Sequence, residues 1–419
     1  MRMYRSARCL LVAAPFLALS ACERPADEAP PNTVTVRDSA NIRIVENHAP
    51  ELDSAHFWTV DPEPEIVIGG YRPNQAADDP AHLLWRLAGA ALLSDGRVAV
   101  LSSGESMVLV FDTTGALSGS FGGKGQGPGE FSYPLHLQVL PADTIAVWDY
   151  LLGGISYFDP SGNLLRDRTL DVSALFAAAQ TPEQRLSEPA TVPLPDGTFL
   201  VDVYPRDWAP AVYTLYKAPT GYVRVDSAYA TYHFGWWDGQ EQVAAPPLIP
   251  FLLPFPTQAV FTTGGSPLSV YISNGDRYEV HQFSPTGVLR RIIRRTAVEP
   301  IPILASEVEA WKARLSERQT LDWDGWDEVL EEYPPRLYRA RVAGLITDSD
   351  GHLWVANRLD DQSSEWSVFD PEGRWLGTMQ LPFPRVSWIA GDRIVGLLTD
   401  PVTDVESVQV HRLNRTAPR

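Results

Sequence analysis

A chain of 419 residues with 44% apolar and 10% aromatic side chains can bury a large core, which excludes small-scaffold and disordered classes. Its 52 acidic residues against 34 basic ones give a formal charge of -18, a field that repels phosphate backbones and speaks against nucleic-acid partners. No apolar run reaches the roughly 18 residues of a membrane-spanning helix.

At the N-terminus, Arg2, Arg5 and Arg8 precede the mainly apolar stretch CLLVAAPFLAL at 9–19, the layout of a secretory signal. Both cysteines, Cys9 and Cys22, lie here, so the body downstream has no thiol for disulfides, nucleophiles or thiolate metal sites. Leu19-Ser20-Ala21-Cys22 resembles the lipobox of bacterial lipoproteins. The resemblance implies cleavage before Cys22, acylation of that residue and a membrane partner reached through N-terminal lipid. An ordinary signal peptide cut elsewhere, with Cys22 incidental, is the other reading. Residues 1–21 are thus expected to be a signal peptide, and 22–34 an acylated cysteine with a solvated, proline-rich tether. The expected location is the bacterial cell envelope, periplasm or outer membrane.

From 35 to 415 one pattern recurs: a turn, an alternating strand, a second turn, another strand and then Phe-Asp-x-x-Gly. LSDGRVAVLSS (93–103) leads to VLVFDTTG (108–115), and LPADTIAVWDY (140–150) to ISYFDPSG (155–162). Further copies pair 194–204 with 214–221, 264–274 with 280–287, 348–358 with 366–373 and, more degenerate, 389–399 with 407–413. Alternation such as Val98 and Val100, bounded by Asp-Gly turns, predicts hairpins. Short strands of this kind cannot bury both faces alone, and packing successive four-stranded sheets around an axis solves that. The expected fold is therefore all-β, a six-bladed β-propeller with a small helical insertion between blades four and five. Val67-Ile68-Gly69-Gly70 repeats the pattern of Ser120-Phe121-Gly122-Gly123, so the segment at 64–70 is expected to complete blade six. A seventh blade stays open if TVRDSANIRIVEN (35–47) belongs to one.

FGGKGQGPGEFSYP (121–134), followed by IAVWD and ISYFDPSG, resembles the NHL-type repeat and the bacterial six-bladed β-propeller lipoproteins. The resemblance implies a fold and an envelope location, not a single activity, because this architecture hosts enzymes, receptors and scaffolds.

Two insertions are expected, at about 222–256 and 300–338. In the second, LASEVEAWKARLSERQ (304–319) predicts an amphipathic helix with Ser306 and Glu309 at capping-box spacing. A short helix is expected over 321–335, stopped by Pro334 and Pro335. The first insertion is aromatic and ends in the proline-rich run at 246–256. Trp236, Trp237, Trp323 and Trp326 all lie in insertions, where they either stack on a ligand or pin the insertions to the blades.

The candidate chemistry is sparse. GGKGQGPGE (122–130) has no Gly-Lys-Ser/Thr opening a helix, so it reads as a link between blades. Some NHL-like enzymes carry a divalent ion on the channel axis, and His136, on the inner strand of blade two, is the best ligand candidate. Its expected counterparts are Gly89, Ala190, about Ala259, Gly344 and, near the sixth blade, Arg385. Asp149 and Asn357 end the second strands of blades two and five; they either supply oxygen ligands to a hard cation or satisfy backbone groups there. DWDGWDE (322–328) has its glycine at the wrong place for a calcium loop. The other histidines show no metal spacing and there is no G-x-S-x-G, so no catalytic residue, metal or cofactor is assigned. The functional expectation is a binding module for a peptide, glycan or partner protein, with channel-mouth contacts from His136, Asp149, Asn357 and Arg385. The alternative is an NHL-like metal-dependent lyase or lactonase with an axial site.

Overall fold

The Asp-x-x-Gly segments are hairpin devices. In the computed structural model Asp112 N donates to Ala116 O at 2.8 Å and Gly115 N donates to Asp112 O at 3.0 Å. Asp112 Oδ1 accepts from the amides of Thr114 at 2.8 Å and Ala116 at 3.0 Å, a side-chain mimic of a backbone turn. Asp159 repeats this with the amides of Ser161 and Asn163, and Asp370 with that of Arg374. The closing Gly115, Gly162 and Gly373 have φ of +83°, +86° and +84°, where a Cβ would be strained.

Those turns set the strands into sheets. The structure describes residues 33–53, 57–70, 84–169, 184–193, 198–205, 212–217, 221–224, 260–273, 277–285, 288–317, 338–358 and 365–415, with backbone alone between 184 and 224 and at 315–317. Blade one comprises Leu87–Leu92, Val98–Ser102, Met107–Phe111 and Leu117–Gly122. Blade two comprises Pro134–Leu140, Thr144–Asp149, Gly154–Phe158 and Leu164–Thr169. Blade three runs from Gln184–Pro193 to Gly221–Arg224, blade four from Val260–Gly264 to Leu289–Arg295, and blade five from Val342–Thr347 to Trp375–Gln380. Blade six holds Arg385–Ala390, Arg393–Thr399 and Glu406–Asn414. The inner strand of blade one contacts those of blades two and six, which places the first and last blades side by side in the ring. The fold is a six-bladed β-propeller.

Burial follows position within a blade. The second strand is sandwiched between neighbouring blades, so every residue of Val98–Ser102 and of Ser269–Ser273 is buried, whereas the outermost Leu164–Thr169 is mostly exposed. The core therefore lies between blades. Val108, Phe131, Ile145 and Phe158 fill the junction of blades one and two, and Tyr271, Tyr278, Val355 and Phe369 that of four and five. Each such side chain contributes about 1.5–3 kcal/mol through burial.

The ring closes as the repeat predicts. Ile66–Gly69 pairs antiparallel with Ser407–Val410 and supplies the fourth strand of blade six. A seventh blade does not form. Val34–Ser39 and Ile42–Asn47 make a hairpin whose second strand pairs in parallel with Leu289–Arg295, extending blade four to six strands. Ile44 and Val45 are buried there beside Ile292 and Ile293, an apolar partner that a lone hairpin lacks.

The chain then crosses blade five, where Glu51 N and Leu52 N donate to the carbonyls of Trp375 and Leu376, before Thr59–Val60 pairs with Leu413–Asn414 of blade six. Buried Asn47 fixes the crossing: Nδ2 donates to Arg294 O and Gly373 O at 3.0 and 3.1 Å, and Oδ1 accepts from Trp375 N at 2.8 Å. Residues 33–53 and 57–70 thus form a belt over the outer edges of blades four, five and six.

A helix occupies Ala305–Glu317. Its start differs from the expected box, because Leu304 N donates to Glu307 Oε2 at 2.9 Å while Glu309 pairs with Lys312 at 3.0 Å. The helix begins one residue before Ser306, so Glu307 is the residue within reach of the leading amide. Residues 225–256 and 321–335 lie outside the described residues, as do the signal, Cys22 and the tether up to 32; 222–224 instead belong to the last strand of blade three and Val34 already opens a strand.

Candidate functional site

The inner strands enclose an axial cavity of about 1260 Å³, lined by Gly89, His136, Gln138, Thr262, Ser387 and Trp388 among others. His136 and Gln138 sit two apart on Pro134–Leu140, so the strand's period of two turns both toward the cavity. Burial pushes His136 down to about 4, which leaves its half-buried imidazole neutral. Gln138 Oε1 is buried with no hydrogen-bond partner, an acceptor taken out of water without compensation. Ser387 Oγ accepts from Ala90 N at 2.7 Å and joins the inner strands of blades six and one.

The ladder settles which residues are equivalent. His136 pairs with Trp148, Gly89 with Leu101 and Gly344 with Ala356, each just after an irregularity in register. In blade six that position is Trp388, paired with Val395 after a shift at Val386. Arg385 is therefore not the counterpart of His136, because the turn between Ala390 and Arg393 is shorter than those of blades one and five, so that the same count back from the turn overshoots Trp388. It lies at the beginning of its strand, lines the same cavity and donates through a guanidinium nitrogen to Leu87 O at 3.2 Å. The side chain of Ala190 and the whole of Ala259 lie outside the described residues.

Asp149 and Asn357 do occupy matching positions, paired with Pro134 and Val342, but neither lines the cavity. Asp149 is 2% exposed; Oδ2 accepts from Ser132 N and Tyr133 N at 2.6 and 2.8 Å, and Oδ1 from Leu152 N at 2.9 Å. Asn357 accepts from Tyr278 Oη at 2.5 Å and donates to Glu365 and Ser367 at 2.7 and 3.0 Å. In blade one the same position is Ser102, whose Oγ accepts from Trp85 N and donates to Trp85 O. This position serves the structure: it satisfies groups where the chain enters an inner strand or where two blades meet. His136, Asp149 and Asn357 thus share no coordination point. Trp236, Trp237, Trp323 and Trp326 lie outside the described residues.

Asp348, Asp350 and His352, which spacing alone did not single out, bring three donor atoms within 4.8 Å of one another. Asp-x-Asp-x-His was legible in the sequence, hidden inside a turn. Asp348 Oδ1 accepts from the amides of Asp350 and His352, Oδ2 accepts from Trp354 Nε1 at 3.1 Å, and Arg415 meets Asp348 at 2.9 Å and Asp350 more closely. Burial raises the Asp348 pKa, but His352, Trp354 and Arg415 outweigh it and hold the carboxyl below its usual range. The guanidinium, stacked over Trp58 at 4.8 Å, already supplies the cation that these carboxylates call for.

Fold and cavity together define a class: a propeller with an axial chamber lined by polar, charged and apolar groups, and no convergent catalytic set among the described residues. A family model described as a 6-bladed beta-propeller matches residues 89–187. No curated protein matches the chain. Among solved structures, it is similar to a protein described as exported from Bacteroides fragilis, at 14% identity over 89% of this chain and 99% of that one, with a TM-score of 0.44. A gluconolactonase from Xanthomonas campestris aligns at 13% identity over 79% and 86%, TM-score 0.42. Virginiamycin B lyase from Staphylococcus aureus aligns at 9% over 83% and 98%, TM-score 0.39. These likenesses transfer no activity or ligand to this chain.

Proposed function

We propose that the protein is a lipid-anchored propeller of the bacterial envelope that binds a small ligand in its axial cavity and performs no chemistry on it. The observation that carries this reading is the axial cavity of about 1260 Å³ itself, lined by Gln138, Thr262, Ser387 and a neutral His136. Polar groups of Gln138, Thr262 and Ser387 would meet the polar groups of a ligand, and Trp388 would cover an uncharged body. The signal-like residues 1–21 and Cys22 support export and acylation, with 23–33 as tether.

The test follows the His136 ring resonance by NMR while N-acetylglucosamine and N-acetyl-alanyl-alaninamide are titrated separately. The expected result is a saturable shift with at least one probe that weakens about tenfold in Gln138→Leu. No shift with either probe, or shifts indifferent to Gln138→Leu, would refute it. A metal-dependent lyase or lactonase at the axis lacks support from the donor set, since Asp149 and Asn357 are committed elsewhere. Near-stoichiometric divalent metal retained by the purified protein after dialysis would reverse that preference.

A further inference from the structure

The residue that immediately precedes the bulge-bearing end of the inner strand is arginine in blades one, five and six and tyrosine in blade two. Arg86 O accepts from Ser103 N, Tyr133 O from Tyr150 N and Arg341 O from Arg358 N, while Arg385 pairs with Leu397. These are one ladder position in blades one, two, five and six. The side chains there are thus Arg86, Tyr133, Arg341 and Arg385, a succession over consecutive blades five, six, one and two. Arg385 lines the cavity, and Arg86 and Arg341 stand two residues before Ala88 and Ala343, which line it too. The four side chains therefore form an arc at one mouth of the channel.

None of the three guanidiniums meets a carboxylate among the described residues. Arg385 donates to Leu87 O and Arg86 to Tyr133 Oη at 2.9 Å, so each leans from its own blade onto the next in the same sense. Arg341 Nε is buried with no hydrogen-bond partner. Glu406, the carboxylate that reaches this segment, is engaged by Leu87 N at 3.0 Å. Elsewhere in this acidic chain, Arg97, Arg294, Arg374, Arg393 and Arg415 are each paired with an acid. Beside the arc, burial and then the neighbouring Arg339 push the Arg358 guanidinium below its ordinary value. Among the described residues, positive charge is gathered here without an ion-pair partner, in a protein whose overall field is negative.

We infer that Arg86, Arg341 and Arg385, with the Tyr133 hydroxyl, are a carboxylate-binding arc, and that the ligand carries carboxylate at one end and an uncharged polar body that enters the cavity. Planar guanidiniums offer paired N–H groups matched to carboxylate oxygens. Deeper in the channel a neutral His136 and the Gln138 amide suit an uncharged group instead. The inference rests on the reading of the axial cavity as a ligand seat, and it adds the chemical class.

The test uses the full chain and three probes, citrate, succinate and acetate, at matched ionic strength with chloride as reference. Thermal unfolding is recorded for wild type, Arg341→Gln, Arg385→Gln and, as a control away from the mouth, Arg166→Gln. Arg166 lies on the outer strand of blade two over the Tyr157 ring. The expected result is a midpoint that rises with the number of carboxylates, with that rise lost in Arg341→Gln and Arg385→Gln and kept in Arg166→Gln. Equal rises in all four proteins, or no rise beyond chloride in wild type, overturn the arc. In the second case a His136 shift with an uncharged probe leaves the cavity reading standing. A citrate effect confined to the arc, with no uncharged probe bound, keeps the arc and removes the cavity reading. Circular dichroism of each variant excludes misfolding as the cause.

Discussion

His136 gives the sharpest quantitative expectation. Its imidazole is pushed by burial from 6.5 to about 4 in the folded chain, whereas in the unfolded chain it takes up a proton as pH falls through about 6.5. Between those values the unfolded state binds the extra proton, so stability is fully present above pH 6.5 and declines as pH drops toward 4. Complete burial would make the decline about 3 kcal/mol. The ring of His136 is only half-buried, and solvent screening of that kind reduces the expected loss to about 1–2 kcal/mol.

Urea denaturation at pH 7 and pH 5 should therefore show a loss in wild type that is smaller in His136→Gln, the difference between the two proteins isolating this one group from the many carboxylates. An NMR titration of the ring should give the folded value directly. A midpoint near 6.5, or the same pH response in both proteins, would refute the burial argument and with it the neutral state assigned to His136.

Asn47→Ala removes three hydrogen bonds that join the belt to blades four and five, and should cost about 2–4 kcal/mol by urea denaturation at pH 7; a loss below about 0.5 kcal/mol would mean the belt is held by apolar contact alone. Gly162→Ala meets both the positive φ of +86° and Phe121 Cδ1, 2.6 Å from a built Cβ, so a loss of about 1–3 kcal/mol is expected from a thermal scan, against little change if the turn can relax. Cys22→Ser should release the protein from the membrane fraction, read by immunoblot after fractionation; continued membrane retention would defeat the acylation reading.

Much of the fold was legible because it is written locally. Period-2 alternation and the Asp-x-x-Gly turns each act within a few residues, and Asp112, Asp159 and Asp370 make the same local hydrogen bonds wherever the motif stands. Even closure was readable, since Val67–Gly70 carries the same outer-strand pattern as Ser120–Gly123 and blade six lacks a strand of its own. The site was harder. His136 was found as a polar residue on an apolar inner strand, but Gln138 drew no notice until its oxygen proved buried and unpaired. Arg86 and Arg341 gained meaning only because they hold in blades one and five the ladder position that Arg385 holds in blade six.

The sequence by itself determined the blade, its turns, the number of its repeats and the strand that latches the ring, all of which follow from short-range backbone preference and apolar periodicity. Tertiary structure alone decided that 34–47 extends blade four, that Asp149 and Asn357 serve the scaffold, and that Trp388 rather than Arg385 holds in blade six the position of His136 in blade two. Those outcomes depend on which distant backbone group or bulge comes within hydrogen-bond reach, a distance that no local pattern encodes.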